Sequence, residues 1–282
     1  MQNVVPTIYG AELQSALYLG RQHVISPFTT LNEKLGILPG TQPVAGQNPI
    51  LSLMVAGNGG HDMTAVNGVA YPRPYQHKAT DAALYNQVPL VLRALNNDLD
   101  APTRARYALR QQLDVGGTTY IAYWAKRIDL TNVTVSSKIR TATGQVTPAY
   151  TETNFTPTAG NLSPTPQLIS PNGANIISPD SVVAVSPADI GFSASEVAEY
   201  VNAVTILTGT PELAIISEIG LCSGADKSIS ITTGGSTVSF NESVGAQINS
   251  FLACYYPLLY SNSGVSKIVD IGANTPLYNV AQ

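Results

Sequence analysis

The chain of 282 residues is long enough for one large or two medium domains with a buried core. Only 11% of its residues are charged, against a usual share of about 25%, and so little charge is unusual for a protein dispersed alone in solution. The net charge of −4 and the lack of a basic block argue against nucleic-acid binding, and no apolar run approaches the ~18 residues of a membrane span.

The N-terminal part is predicted to combine a short helix with strands. GAELQSALYLG (10–20) has the apolar spacing of a helix, whereas NPILSLMVAG (48–57) is typical of a buried strand. The clearest hairpin is RYALRQQLDVGGTTYIAYWAKRIDL (106–130), because Gly116 and Gly117 can adopt the positive φ of a tight turn. The N-terminus lacks the basic and apolar regions of a secretory signal, so we expect synthesis in the cytoplasm.

The return strand of this hairpin is apolar on both faces. Tyr120, Ala122 and Trp124 alternate with a second apolar set, so the strand is predicted to be covered on both sides. We therefore predict that Tyr123 and Trp124 are core or interface residues.

Residues 141–191 differ in composition from the rest of the chain. They contain seven prolines and no lysine or arginine. The segment is too apolar for a solvated linker and too rich in proline for a central strand. We predict an extended Pro-rich arm or loop that docks on its own domain or on a neighbouring subunit through its apolar side chains, which are Phe155, Leu162, Leu168, Ile169, Ile176 and Ile177.

The C-terminal part is predicted to contain the best helix and several strands. SASEVAEYVNAVTILTGTPEL (193–213) begins with a capping box formed by Ser193 and Glu196. The predicted strands after it are LAIISEIGLCSG, the two arms of SISITTGGSTVSF around Gly234 and Gly235, AQINSFLACYYPLLY and SKIVDIG.

These elements predict a strand-dominated α+β fold with antiparallel sheets, hairpins, few short helices and a long Pro-rich extended segment. The predicted parts are residues 1–140 with the first hairpin, the arm 141–191, and the helix and strands of 192–282. We expect the last part to pack with residues 1–140 as one domain.

A glycine-rich stretch, VAGNGGHDMTAVNG (55–68), follows the predicted buried strand. It fits neither the phosphate-binding P-loop nor the dinucleotide-binding glycine pattern, so we expect a tight turn with positive φ at Gly59 or Gly60 and no bound cofactor. His61, Asp62 and His77 could in principle bind a metal, but their spacing matches no common site. We predict no metal ion, and a hydrogen bond from His61 to local backbone.

Glu218 is the most unusual acid because it interrupts an apolar strand, where a carboxylate must be paired or neutral. We expect an arginine of the first hairpin to pair with it, and a general acid is the alternative. Arg106 and Arg110 are predicted to be interface or core-edge anchors. Cys222 and Cys254 are predicted to be buried thiols.

No combination of residues in the sequence forms a recognisable catalytic site, so we predict that the protein is not an enzyme and has no catalytic residue.

Several stretches, taken in order, resemble an uncharacterised family of virion structural proteins of large contractile-tailed bacteriophages. The resemblance covers roughly residues 50–230, and it rests on the order and spacing of its motifs. These are NGGH (58–61), HKATDAALYNQVPLVLR (77–93), NNDL (96–99), RARYALR (104–110), TTYIAYWAKRIDL (118–130) and IISEIGLCSGADK (215–227).

The resemblance implies a structural subunit of the virion, in the neck or collar region or in the baseplate, and no catalytic residues. The expected partners are copies of itself in a ring and other phage neck, tail or baseplate proteins, without sequence-specific nucleic-acid contacts or a membrane. Such a subunit would occupy the host cytoplasm during assembly and then the virion. A carbohydrate-binding host-recognition module, and a hydrolase using Glu218 or His61, are the alternatives from other classes.

Overall fold

A computed structural model describes residues 4–143, 149–163, 180–233, 236–259 and 263–276. The helices found in these ranges are α1 (Ile8–Tyr18), α2 (Leu31–Leu35), α3 (Ala101–Arg104) and α4 (Ala194–Thr208). The strands found there are β1 (Val4–Pro6), β2 (Ile50–Gly57), β3 (His61–Val66), β4 (Val69–Pro74), β5 (Gln87–Val88), β6 (Val91–Ala94), β7 (Tyr107–Val115), β8 (Thr118–Arg127), β9 (Ser136–Thr143), β10 (Ala149–Asn154), β11 (Asp180–Asp189), β12 (Ile215–Thr233), β13 (Ser236–Pro257) and β14 (Ile268–Pro276).

The predicted fold class is confirmed, because antiparallel strands dominate and the helices are few. The chain forms two compact units. The first contains residues 1–128 and 190–267, and the second contains 129–189 and 268–282. The predicted boundary at residue 141 therefore differs from the boundary between the units, which follows β8.

The first unit is organised around an eight-stranded antiparallel sheet. Its strand order is β1-β13-β12-β2-β8-β6, with β5 added to β2 and β7 added to β8. Helices cover both faces, since α2 contributes Leu31 to the core beside Leu53, while α4 packs Ala203 against Ala122 of β8. The central strands are therefore buried on both sides, as the apolar runs in the sequence predict.

The first hairpin has the predicted turn. Val115 pairs with Thr118, so Gly116 and Gly117 form a two-residue loop. Their φ angles of 58° and 80° are both positive, which a type I′ turn requires and which glycine adopts without steric cost.

The helix α4 begins where the sequence predicts. The Ser193 side chain accepts a hydrogen bond from the Glu196 backbone N–H, and the Glu196 carboxylate accepts one from the Ser193 N–H. This reciprocal capping box satisfies two N–H groups that the helix itself leaves without a partner.

The sequence predicts five separate C-terminal strands, and four of them merge into one long hairpin. The strands β12 and β13 contain 19 and 22 residues. β12 pairs with β2 only as far as Gly224, so residues 225–233 pair with β13 alone as a two-stranded extension. The turn predicted at Gly234 and Gly235 lies outside the described residues.

The second unit contains a four-stranded antiparallel sheet with the order β10-β9-β11-β14. The prediction that residues 141–191 form no central strand is wrong for β11, which pairs with both β9 and β14. Pairing with β9 ends at Val185, so Pro187 has a partner on one side only, where the missing N–H of proline is tolerated. Residues 164–179 of the predicted arm, with four of its six apolar side chains, lie outside the described residues.

Candidate functional site

The glycine-rich stretch connects β2 to β3, but not through the predicted positive φ. Neither Gly59 nor Gly60 has φ in the left-handed region, so that prediction is wrong. Both positions favour glycine for another reason, because neighbouring atoms lie too close to leave room for a Cβ atom. A Cβ atom added at Gly60 would lie 2.8 Å from Glu218 Cβ and from the Ser217 carbonyl oxygen, and one at Gly59 would lie 2.7 Å from the Asn86 backbone nitrogen.

Glu218 lies beside Gly60, in the space that the absence of a Cβ atom leaves open. Its side chain is 1% exposed, and its Oε1 accepts a hydrogen bond of 3.0 Å from the Asn86 N–H. Oε2 accepts one of 3.0 Å from the Tyr85 N–H and lies 2.9 Å from His77 Nε2. The prediction that an arginine of the first hairpin pairs with Glu218 is wrong, because that position is occupied by His77 and two backbone amides.

His77 is enclosed on four sides. Its Nδ1 atom lies 3.2 Å from Asp81 Oδ2, opposite the Glu218 contact. The ring stacks against Phe251 at 3.8 Å and 8°, and against Tyr85 at 4.3 Å and 27°. Since a neutral imidazole carries one N–H, only the imidazolium form, or a protonated carboxyl, lets both contacts be hydrogen bonds.

This buried network fastens the segment containing His77, Asp81, Tyr85 and Asn86 to β12. His77 is 5% exposed and Glu218 is 1% exposed, and neither lines either of the two cavities described below. A catalytic acid must reach a substrate, so the enclosed geometry favours a structural role over the general-acid alternative. From the sequence, His77 was considered only as a metal ligand. Its spacing of four residues from Asp81 was the one sequence feature that could have indicated their contact.

The other predicted metal candidates are arranged differently. His61 does not hydrogen-bond to local backbone as expected, because its Nδ1 is buried without a partner and its ring meets Tyr255 edge-on at 4.9 Å. Asp62 accepts a 2.7 Å hydrogen bond from the Met63 N–H. Within the described ranges no three histidine, cysteine or acidic side chains are close enough together to hold a metal ion.

Arg106 and Arg110 pair with carboxylates of their own chain. Arg106 Nη2 donates to Glu196 Oε1 at 2.8 Å, and Lys126 Nζ donates to Glu196 Oε2 at 2.9 Å. Burial opposes ionisation of Glu196, but the hydrogen bond from Lys126, the Ser193 N–H and the charges of Lys126 and Arg106 outweigh it and lower the pKa of Glu196.

Arg110 belongs to a second paired group, at Asp98. Arg110 Nη2 and Arg104 Nη2 each lie 3.3 Å from Asp98 Oδ2, and the Tyr123 hydroxyl donates to Asp98 Oδ1 at 2.7 Å. Burial, and next the hydrogen bond and charge of Asp98, raise the pKa of Tyr123 to about 12. Tyr123 is thus a core residue with a bonded hydroxyl.

Trp124 is only partly buried, although Tyr123 beside it is 1% exposed. Its ring packs against both core regions of the first unit, and its Nε1–H donates to Gln111 Oε1 at 3.1 Å.

Glu242 repeats the arrangement seen at Glu218. It is 3% exposed, and its carboxylate accepts hydrogen bonds from the N–H groups of Leu109 and Arg110. Leu109 has φ of 58° and is left out of the pairing of β7 with β8, although the register is the same before and after it. The long hairpin therefore provides two buried glutamates, each of which binds two consecutive backbone amides.

Two cavities, of about 290 and 390 Å³, are both lined by Arg127 and Asp226. These two side chains form an ion pair of 2.6 Å. The smaller cavity is also lined by Arg104 and Arg110, which are already paired with Asp98. Each arginine at this cavity thus has a carboxylate partner within the chain.

A family of unknown function, DUF7208, matches residues 1–282. The chain belongs to this family. No curated protein and no solved structure matches the DUF7208 chain. Among the helices of its described residues, none combines the length and apolar character that crossing a membrane requires.

Among the described residues, the hairpin formed by β3 and β4 exposes several large apolar side chains of the DUF7208 chain. These strands pair only with each other, as a separate two-stranded sheet. Val66, Val69 and Tyr71 are 52%, 53% and 53% exposed, and residues 63–72 include no charged side chain. An apolar hairpin left open to water is typical of a surface that another molecule covers.

Proposed function

We propose that this protein is a structural subunit of a tailed-bacteriophage virion that assembles into a ring at the neck or collar. The observation that carries the proposal is the exposed, uncharged hairpin of β3 and β4, which suits a protein that is completed by its neighbours. The resemblance of residues 50–230 to virion proteins of contractile-tailed bacteriophages is the reason for proposing a phage particle as the assembly. A position in the baseplate or tail is the alternative within the same class.

The distribution of charge supports an assembly role. Of the 18 acidic residues, Glu196, Glu218 and Glu242 are buried and hold backbone or basic groups in place. The surface is therefore even poorer in charge than the composition indicates. A surface with so little charge does little to keep a free monomer soluble, and it can be buried against neighbouring subunits at a small desolvation cost.

The proposed partners are copies of the same chain and other neck, tail or baseplate proteins, first in the host cytoplasm and then in the virion. The proposal includes neither an enzymatic activity nor a bound cofactor, since His77 and Glu218 are enclosed. It also includes no sequence-specific contact with nucleic acid and no membrane contact.

Locating the chain in the particle tests the proposal. We expect reconstructed density of the virion to contain this fold in several symmetry-related copies at the neck, and antibodies to label the same place. Density at the baseplate would favour the alternative position. A purified particle without the chain, judged by mass spectrometry of its proteins, would contradict the proposal.

A carbohydrate-binding host-recognition module is a second candidate, which the exposed tyrosines favour. Tyr75 and Tyr85 are 43% and 49% exposed, and their rings lie 5.5 Å apart at 64°. Aromatic faces exposed side by side can stack on sugar rings. Calorimetric titration with host-surface glycans tests this candidate, which requires binding that a Tyr75→Ala variant loses.

A further inference from the structure

The two carboxylates at His77 differ in their access to water. The side chain of Glu218 is 1% exposed, whereas that of Asp81 is 31% exposed. Both oxygens of Glu218 also accept backbone hydrogen bonds, from the N–H groups of Tyr85 and Asn86. Glu218 therefore cannot turn away from the His77 ring without losing these bonds, while the carboxylate of Asp81 can move into solvent.

This difference determines which nitrogen of His77 carries the proton when the ring is neutral. A neutral imidazole has one N–H, and its other nitrogen presents a lone pair. A lone pair on Nε2 would face the buried carboxylate of Glu218 at 2.9 Å, and neither group could move away. A lone pair on Nδ1 would face Asp81 at 3.2 Å, which water can solvate. The neutral ring therefore keeps its proton on Nε2, and the contact with Asp81 is the one that opens.

Asp81 closes a turn in the segment after β4. Its Oδ2 atom accepts a hydrogen bond of 2.9 Å from the Lys78 N–H, and its own N–H donates to the Lys78 carbonyl oxygen at 3.0 Å. The same Oδ2 atom faces His77, so the His77 ring ties the turn of residues 78–81 to the core of the first unit. Loss of this contact frees the turn from the core and leaves the hydrogen bonds inside the turn in place.

The turn of residues 78–81 also holds the start of α1. The carbonyl oxygen of Ala79 accepts a hydrogen bond of 2.9 Å from the Ile8 N–H, and that of Thr80 accepts one of 2.8 Å from the Tyr9 hydroxyl. The Ile8 N–H is one of the groups that a helix leaves without an internal partner in its first turn. A movement of the turn therefore reaches the N-terminal end of α1.

The other titratable groups around the ring and its two carboxylates lie on the same segment and on α2, α4 and β13. Among the described residues they are Tyr75 and Tyr85 of the segment, Lys34 of α2, Tyr200 of α4 and Cys254 of β13. Tyrosine and cysteine ordinarily titrate above histidine, and burial raises the pKa of Tyr85, Tyr200 and Cys254 further. Desolvation lowers the pKa of Lys34, against the opposing effect of the negative charge of Glu218. Lys34 is therefore the group whose titration must be distinguished from that of the histidine.

We propose that His77 is a pH-sensitive catch for the turn of residues 78–81. The charged ring bridges Glu218 and Asp81 and holds the turn in place beside α1, whereas the neutral ring stays bonded to Glu218 and releases Asp81. Because the charged ring makes one more hydrogen bond than the neutral ring, the turn is held most firmly at mildly acidic pH and loosens as the pH rises. The proposal goes beyond a role in assembly and does not depend on it.

Nitrogen NMR of the full chain, isotope-labelled at histidine, measures the proton on each ring nitrogen. The chain has three histidines, and the stacking of the His77 ring on Phe251, with ring centres 3.8 Å apart, allows its signals to be assigned. Between about pH 5 and about pH 9 we expect His77 to change from a ring protonated on both nitrogens to a ring protonated on Nε2. A ring that is neutral at the acidic end of this range, that carries its proton on Nδ1, or that remains charged at the alkaline end would overturn the proposal.

Amide hydrogen exchange across the same pH range measures the release of the turn. Protection factors of residues 78–84, corrected for the chemical exchange rate at each pH, should fall about tenfold or more in the wild type as His77 loses its proton, since a hydrogen bond to a charged group contributes at least this factor. Asp81→Asn presents an uncharged amide that can accept from or donate to Nδ1, so its protection should change little with pH. Lys34→Arg keeps a permanent positive charge and should show the same fall as the wild type. Constant protection in the wild type, an equal fall in Asp81→Asn, or no fall in Lys34→Arg would each overturn the proposal.

Discussion

The Nε2 atom of His77 lies 2.9 Å from Oε2 of Glu218, and neither side chain is more than 5% exposed. The contact joins a residue of the segment after β4 to the first part of β12. Since the same carboxylate accepts the backbone N–H groups of Tyr85 and Asn86, one side chain fixes three points of that segment. Removing the carboxylate of Glu218 should therefore lower the stability of the fold more than the loss of a side chain with a single contact would.

Glu218→Gln should destabilise the protein by about 3–5 kcal/mol, because an amide group would place a donor against N–H groups that need acceptors. The free energy of unfolding in urea measures the effect. Glu12→Gln, at an exposed position of α1, is the matched control and should change it by less than about 0.5 kcal/mol. A loss below about 1 kcal/mol for Glu218→Gln would show that the network is dispensable.

Gly60→Ala should cost about 1–3 kcal/mol through overpacking, since the new methyl group would meet Glu218 Cβ and the Ser217 carbonyl oxygen at 2.8 Å. Gly160→Ala is the comparison, because among the described residues a Cβ atom there would have only Thr158 Oγ1 within 4 Å, at 3.7 Å. Thermal melts of both variants test the reason for the glycine. Equal melting points would mean that the backbone at Gly60 moves away from β12 at no cost.

The sequence predicted local features well where neighbouring residues determine them. The capping box at Ser193 and the glycine turn at Gly116 are each defined within a few residues, so short-range chemistry was enough. Glu218 was correctly selected as unusual, because a carboxylate in an apolar strand is visible in the sequence. Its partner was not predictable, since His77 lies 141 residues away and is brought there only by the sheet.

Two errors have a common physical origin. The glycines at 59 and 60 were assigned to backbone conformation, whereas tertiary contact with Glu218 and Asn86 explains them. Proline content argued against a central strand in residues 141–191, but the position of Pro187 relative to each neighbouring strand determines whether it can be accommodated. In both cases the deciding distance is between residues far apart in the chain.

Trp124→Phe should destabilise the protein by about 0.5–1.5 kcal/mol, because it loses the hydrogen bond to Gln111 Oε1 while it keeps an aromatic ring between the two core regions. Trp124→Ala should cost more, about 2–4 kcal/mol, which is below the usual range for a fully buried tryptophan. Urea unfolding followed by circular dichroism measures both, since the variants lack the only tryptophan of the chain. Equal costs for the two variants would show that ring packing contributes little.

Cys222 and Cys254 should resist a thiol reagent in the folded protein and react completely after unfolding. Cys222 is 0% exposed and Cys254 is 7% exposed, and burial raises the pKa of both thiols, that of Cys254 to about 12. The thiolate is the reactive form of cysteine, and a raised pKa means that only a small fraction of either thiol is ionised near pH 8. We expect slow labelling, with Cys254 modified before Cys222, and two labels per chain in denaturant. Rapid stoichiometric labelling of Cys222 without denaturant would contradict its burial.

The ion pairs of Glu196 should make stability depend on pH in the acidic range. The hydrogen bond from Lys126 and the charges of Lys126 and Arg106 outweigh the burial that opposes ionisation, so the pKa of Glu196 in the folded state is below its usual value of 4.5. A group whose folded pKa is lowered stabilises the protein above its unfolded pKa, and this contribution is lost as the pH falls through the folded pKa. The difference in thermal midpoint between wild type and Glu196→Gln should therefore be greatest near neutral pH and shrink as the pH falls below about 4.5. Other acids contribute equally to both proteins, so the difference isolates this one carboxylate. A constant difference from pH 7 down to pH 3 would mean that the charge of Glu196 does not contribute, and that its side chain acts only as the helix cap.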